Sequence, residues 1–172
     1  MSDQKQDVNR RNFIAAGSSL AAMAAMMQAF EARAQESGDD SPARRTDDST
    51  PPMRMGLIGY GPHGREIARN LAQLPSAPLV AISDNYGPML RRSKREHPKA
   101  KGYEKFQDLL ADKNVEGVII ATAPHEHKAI VLAALKAGKH VYCEAPLGHT
   151  LADARAIAKA AADNPKQNFQ AG

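Results

Sequence analysis

The sequence has a single cysteine, Cys143, and no tryptophan among its 172 residues. One thiol cannot build an intrachain disulfide framework, and within "KHVYCEAP" it is predicted to be a small core residue rather than a nucleophile. Aromatic residues make up only 5% of the chain, and the slight basic excess, 23 Lys and Arg against 19 Asp and Glu, is scattered. Because no basic stripe with interleaved aromatics is present, no nucleic-acid partner is predicted.

The chain also lacks internal repeats. Hydrophobic residues account for 42% of its 172 positions. That content and length suit one ordinary domain with a core of its own, and the chain is too short for two full domains.

Residues 1–34 have the three parts of an export signal. A basic start containing Arg10-Arg11 precedes an uncharged, Ala- and Met-rich stretch, Phe13 to Phe30, and Ala32-Arg33-Ala34 offers the small residues that a signal peptidase accepts. The paired arginines resemble the twin-arginine motif, which predicts the twin-arginine export machinery as a partner and a periplasmic or secreted location. The alternative is an N-terminal membrane anchor, since the uncharged stretch could just span a bilayer. Its polar residues and the Ala-Arg-Ala site favour cleavage.

The remainder of the chain divides into a linker and a domain. Residues 35–52 are dense in Ser, Asp, Thr and Pro and predict a flexible linker. Residues 53–172 alternate short apolar runs with helical patterns, which predicts an α/β fold of the Rossmann type, a doubly wound parallel sheet with helices on both faces. Strands are predicted within 53–59, 79–83, 115–121 and 139–146, with weaker ones near 102–103 and 168–172, and helices over 62–74, 88–97, 103–112, 127–138 and 150–163.

A glycine-rich stretch, "GLIGYGPHG", joins the first predicted strand to the first helix. Its G-x-G-x-x-G pattern is Gly59, Gly61 and Gly64: the first allows the tight turn, the second lets the backbone approach a pyrophosphate, and the third lets the helix pack closely on the sheet. Free amides at the helix start would face the phosphates. We therefore predict that this loop binds a dinucleotide, including the intervening residues Tyr60, Pro62 and His63, the last on the phosphate side or facing solvent.

Asp84 ends the second predicted strand, 20 positions after Gly64. A carboxylate there can accept hydrogen bonds from the adenosine ribose hydroxyls and would repel a 2′-phosphate, so NAD is predicted over NADP. Arg91 and Arg92 could instead turn toward such a phosphate, although solvated helix positions suit them better. A plain turn or helix cap is the alternative role for Asp84.

Two polar clusters follow the later strands, "ATAPHEH" at 121–127 and "CEAPLGHT" at 143–150. Both lie where an open α/β sheet binds its ligands. Two histidines and a glutamate are adjacent in the first cluster, but adjacent residues splay apart at a helix start, and no metal site is predicted.

These residues resemble the N-terminal half of the Gfo/Idh/MocA oxidoreductases. The resemblance covers Met53 to Gly172 and rests on "RMGLIGYGPHG" and "VEGVIIATAPHEHKAIVLAALKAGKHVYCEAPL". It implies a nicotinamide cofactor held across this domain, with Thr122, Pro124 and His127 at the cofactor cleft and Glu144 near the nicotinamide ribose.

The sequence departs from the family pattern in two ways that bear on its predicted function. Ala145 stands where the family has the lysine of a Glu-Lys-Pro motif, and a methyl group neither donates a hydrogen bond nor carries charge. No catalytic residue is therefore assigned. The larger second domain of the family, which supplies the substrate pocket, has no counterpart in the sequence, so residues 35–172 alone are expected to show weak or no turnover.

Three functions are compatible with these features. The first is the NAD-binding portion of an exported oxidoreductase that moves hydride between a sugar or polyol and the nicotinamide. The second is a relative that uses bound NAD to cleave a glycoside without net redox change. The third is a non-catalytic dinucleotide-binding module. The unfinished sheet edge at the end of the sequence also predicts association between copies of the chain.

Overall fold

The computed structural model describes residues 51–172, so the predicted signal peptide and almost all of the predicted linker lie outside the described residues. Within this range strands and helices alternate throughout. The strands are β1 (Met55–Ile58), β2 (Leu79–Ser83), β3 (Lys101–Tyr103), β4 (Gly117–Ile120), β5 (His140–Cys143) and β6 (Phe169–Ala171). The helices are α1 (Pro62–Leu71), α2 (Gly87–Glu96), α3 (Phe106–Ala111), α4 (Pro124–Lys136) and α5 (Leu151–Asp163).

The six strands form one parallel sheet in the order β3-β2-β1-β4-β5-β6. The predicted Rossmann-type fold is confirmed, including the two weakly predicted edge strands. The strand order reverses between β1 and β4, where Ile58 pairs with Ile120. In open sheets of this kind the crevice outside the carboxyl ends of the strands at such a reversal is the ligand site.

Successive side chains of β4 point to opposite faces of the sheet and pack into a hydrophobic core on each face. Val118 and Ile120 pack into a cluster with α4 and α5, whereas Ile119 joins Leu57 and the α1 residue Leu71 on the other face. All four β4 residues are buried, as expected for a central parallel strand. Helices therefore cover both faces and leave the strand ends free to carry function.

Local sequence signals fix the helix ends. Thr150 caps α5, since its Oγ1 accepts a hydrogen bond from the amide of Asp153 at 3.1 Å. Gly138, with φ of 74°, follows α4 as predicted. Helix α4 begins at Pro124 rather than at His127, because a proline at the first helical position needs no amide partner. Helix α3 is shorter than predicted, since Tyr103 pairs with Ser83 in the sheet.

No helix within residues 51–172 has both the length and the apolar character needed to cross a bilayer.

Candidate functional site

The glycine loop follows β1 at the carboxyl edge of the sheet. Gly59 has φ of 95°, and a Cβ there would lie 2.6 Å from the carbonyl oxygen of Ala121. A Cβ on Gly64 would collide with the carbonyl oxygen of Gly59. These two positions require glycine for the fold itself. A Cβ on Gly61, in contrast, would meet no atom within 4 Å, so this glycine leaves open space above the loop.

Asp84 ties this loop to the second strand. Its Oδ2 accepts a hydrogen bond from the amide of Tyr60 at 2.7 Å, and its Oδ1 accepts one from the amide of Tyr86 at 2.8 Å. A carboxylate has about four lone-pair positions, so two remain for a ligand. Asp84 is therefore both a turn residue and an available acceptor at the edge of the crevice.

A cavity of about 240 Å³ opens beside these residues, at the ends of β1, β2 and β4. Among the predicted site residues, Gly59, Gly61, Asp84 and Thr122 line it. Ala121, Ala123 and Glu126, from the predicted 121–127 cluster, also line it. Sequence reasoning missed the remaining lining residues, which are Ile58, Ser83, Asn85, Glu104, Phe106 and Ile130. The apolar pair Phe106 and Ile130 supplies a surface for a flat ring, and the three carboxylates of Asp84, Glu104 and Glu126 make the cavity acidic.

Thr122 carries an unused hydrogen-bonding group at this cavity. Its Oγ1 is buried and has no partner among residues 51–172. A buried hydroxyl without a partner is costly, and a ligand oxygen in the cavity would remove that cost. The open face of Gly61, the free acceptor capacity of Asp84 and this hydroxyl together fit a dinucleotide with its pyrophosphate over the glycine loop.

His127 is not among the residues that line the cavity. The ring is 1% exposed; its Nε2 is 3.0 Å from the carbonyl oxygen of Thr122 and its Nδ1 is 3.1 Å from that of Pro146. Each ring nitrogen thus faces an acceptor, one in the loop after β4 and one in the loop after β5. His127 holds these two loops together, and its predicted effect on the cofactor has to act through them.

Three other predicted contacts have side chains outside this cavity. The phenol of Tyr60 is buried and donates to Glu96 Oε2 at 2.7 Å, and burial raises its pKa well above the ordinary value. Pro62 and Pro124 occupy first helical positions. For Tyr60 only the loop backbone remains as a possible contact with a cofactor.

His63 and Glu144 come together on the other side of the glycine loop. His63 Nε2 lies 3.2 Å from Glu144 Oε1, with the imidazole 59% and the carboxylate 22% exposed. The nearby Tyr142 has its pKa raised by burial and by the adjacent Glu144 carboxylate. Ala145, the next residue, is exposed, and its peptide bond to Pro146 is cis.

Cys143 is fully buried, which confirms the prediction of a core residue. Burial, with a smaller effect of Glu144, raises the pKa of the thiol to about 11, so it stays protonated at neutral pH. Within 51–172 no three His, Cys, Asp or Glu side chains are grouped as a metal site would require.

Comparisons with known proteins agree with this geometry. The model of the GFO_IDH_MocA family, described as "Oxidoreductase family, NAD-binding Rossmann fold", matches residues 53–172. The myo-inositol 2-dehydrogenase of Thermotoga maritima is 41% identical over 101 residues, which cover 59% of this chain and 30% of the relative. The inositol 2-dehydrogenase of Salmonella typhimurium is 34% identical over 122 residues, covering 70% of this chain and 36% of the relative.

Solved structures give the same picture. The scyllo-inositol dehydrogenase of Lactobacillus casei with bound NAD(H) and scyllo-inositol aligns with a TM-score of 0.67 at 27% identity, covering 70% of this chain and 36% of that one. A probable dehydrogenase from Thermotoga maritima aligns with a TM-score of 0.67 at 34% identity, with the same coverage of 70% and 36%. The chain thus spans about a third of the length of the curated relatives it matches.

Proposed function

This chain belongs to the Gfo/Idh/MocA oxidoreductase family, and on that premise we propose that its NAD-binding domain serves hydride transfer between a sugar or polyol carbon and the nicotinamide. The observation that carries the proposal is the 41% identity to a myo-inositol 2-dehydrogenase over 101 residues. The substrate class and the activity are proposals, since the match covers 30% of that relative.

The residues of the cavity offer binding partners for the adenosine and pyrophosphate parts of NAD. Asp84 accepts hydrogen bonds from the adenosine ribose, and Phe106 and Ile130 offer an apolar surface to the adenine. The amides of the glycine loop and the Thr122 hydroxyl meet the pyrophosphate. Because Glu104 and Glu126 line the same cavity, an additional 2′-phosphate would meet like charge, which favours NAD over NADP.

When bound, NAD supplies the hydride acceptor, and the chain's own residues bind and orient it. The loops after β4 and β5 are joined through His127 at the carboxyl edge of the sheet. Ala145, in the loop after β5, provides no charged or hydrogen-bonding side chain there. Polarisation of the substrate must therefore come from other groups of the protein.

Ala145 also supports a second candidate within the same family. A redox-neutral glycosidase uses its NAD only transiently, and a site without the usual lysine at this position is compatible with such chemistry. The two candidates differ in product, since only the dehydrogenase releases NADH.

We also propose export through the twin-arginine pathway. The support is the sequence of residues 1–34, with its Arg10-Arg11 pair, uncharged stretch and Ala-Arg-Ala site. Because that pathway carries folded proteins, NAD can be bound before the protein leaves the cytoplasm.

The test uses the full-length chain expressed in a bacterial host with twin-arginine export, given NAD and a panel of myo-inositol, scyllo-inositol, glucose and an aryl glycoside. NADH formation with one of the polyols supports hydride transfer as the function. Release of the aryl alcohol without NADH would favour the glycosidase. NAD binding with neither product is the result expected of these 172 residues alone, whereas failure to bind NAD would contradict both candidates.

A further inference from the structure

The contact between His63 and Glu144 joins two distant parts of the chain. His63 is the second residue of α1, which follows β1, and Glu144 directly follows β5. Because β1 and β5 lie on either side of β4 in the sheet, this contact spans the carboxyl end of β4.

That position corresponds to the second nucleoside of a dinucleotide. A doubly wound sheet is built from two mononucleotide-binding halves, and a dinucleotide crosses from one to the other where the strand order reverses. Asp84, at the end of β2, belongs to the half that takes the adenosine. The other half, β4 to β6, is therefore expected to face the nicotinamide nucleoside, and the His63–Glu144 pair lies at the carboxyl edge of that half.

The charge of this pair matters because the two redox forms of the cofactor differ in charge at the nicotinamide. The oxidised ring carries a positive charge and the reduced ring is neutral. A carboxylate beside the ring stabilises the oxidised form, and an imidazole nitrogen in contact with that carboxylate offsets part of the effect by donating its proton toward it. A bound nucleotide would also exclude water from the pair and strengthen both interactions.

We propose that His63 and Glu144 form a specificity-determining pair that sets the relative affinity of the protein for NAD⁺ and NADH. Glu144 favours NAD⁺, and His63 moderates that preference. The inference rests on the proposed function, since only a hydride-transferring protein has to bind both forms.

The contact between His63 and Glu144 is expected to contribute little to the stability of the protein without a cofactor. Exposed ion pairs typically contribute between 0 and about 1 kcal/mol to stability, and the His63 side chain is more than half exposed. Replacing either residue by glutamine should therefore change cofactor preference without changing the urea midpoint of unfolding. Lys159 and Asp163 offer matched controls, because they form an exposed pair within α5, outside the residues that line the cavity.

The experiment measures the dissociation constants of NAD⁺ and NADH for the full-length chain by calorimetry, with NADH fluorescence as a second readout. Glu144→Gln is expected to lower the preference for NAD⁺ over NADH on the order of fivefold, and His63→Gln to raise it on the order of threefold. Glu144→Asp, which keeps the charge, should retain most of the preference and covers the case in which the glutamine variant folds poorly. Lys159→Gln and Asp163→Asn should leave the ratio unchanged.

The possible results separate the inference from the proposed function. An unchanged ratio in both His63→Gln and Glu144→Gln, with NAD still bound, would overturn the inference and leave the proposed function standing. Equal weakening of both redox forms would also overturn it, because the pair would then contribute only uniform binding. Failure of the unaltered chain to bind either form would overturn the proposed function and the inference with it.

Discussion

The amide of Tyr60 donates a hydrogen bond to Asp84 Oδ2 at 2.7 Å, so the residue that we propose as the partner of the adenosine ribose also holds the glycine loop in place. The other carboxylate oxygen of Asp84 accepts a hydrogen bond from the amide of Tyr86 and so holds the start of α2 in place. One carboxylate thus links the shape of the glycine loop to the start of α2, and on the proposed function also to recognition of the sugar.

Asp84→Asn is expected to weaken both folding and binding. The asparagine amide group would face one of the two backbone amides, which removes a charge-assisted hydrogen bond worth about 1.5–3 kcal/mol. We expect a loss of that order in the free energy of unfolding in urea and a rise of at least about tenfold in the dissociation constant for NAD. NADP should be affected less than NAD. Asp163→Asn is the control, and equal weakening of NAD and NADP would contradict the assignment.

The glycine loop allows stability and binding to be separated. Gly59→Ala places a side chain at φ of 95° and 2.6 Å from Ala121 O, so the free energy of unfolding should fall by about 2 kcal/mol or more. Gly61→Ala has φ of −65° and free space around its Cβ, so stability should stay within about 0.5 kcal/mol. The methyl group of that variant would occupy the space of the pyrophosphate, and NAD should bind about tenfold more weakly. Full NAD affinity in Gly61→Ala would place the pyrophosphate elsewhere.

His127→Ala should disturb the site although the ring is outside the cavity wall. The variant loses a buried ring and its contacts with the Thr122 and Pro146 carbonyls, so the free energy of unfolding should fall by about 2–4 kcal/mol. Amide hydrogen exchange should speed up in the loops after β4 and β5, and NAD affinity should fall. His125→Ala, at an exposed position of the same helix, should change neither. Faster exchange with unaltered NAD affinity would show that these loops do not contribute to binding.

The raised pKa of Cys143 predicts a loss of stability in alkali. Its folded value of about 11 lies above the ordinary 9.0, so the folded state binds more protons between these values. The contribution is complete below pH 9.0 and is lost as the pH rises toward 11. Urea unfolding should show this decline in the unaltered protein and a smaller one in Cys143→Val. A thiol reagent should label Cys143 slowly at neutral pH without urea and quickly in urea.

The export proposal predicts a defined mature protein. The envelope fraction should contain a chain that begins at Gln35, measured by intact mass, because cleavage follows Ala34. Lys replacement of both Arg10 and Arg11 should leave the precursor in the cytoplasm, whereas Lys5→Gln should still be exported. An uncleaved chain in the membrane fraction would instead support the N-terminal anchor.

Local signals in the sequence predicted the strands, the glycine loop and Asp84, because each depends on residues close together in the chain. The remaining parts of the site depend on contacts between distant segments. Phe106 reaches the cavity only when α3 packs beside β2, and the phenol of Tyr60 turns away from the loop toward Glu96, 36 residues later. His127 was assigned to the cleft by family resemblance, and its bond to Pro146 exists only because β4 and β5 are neighbours. Periodicity and spacing contain no information on such pairings.

The bonds of Asp84 to Tyr60 and Tyr86 also bear on the kinetics of binding. They hold the glycine loop in place without a cofactor, so on the proposed function little ordering of the loop is expected to accompany association. The rate of association should then be close to that of a rigid receptor and change little among site variants. Differences in affinity among them should arise in the dissociation rate, and hence in the time the cofactor stays bound.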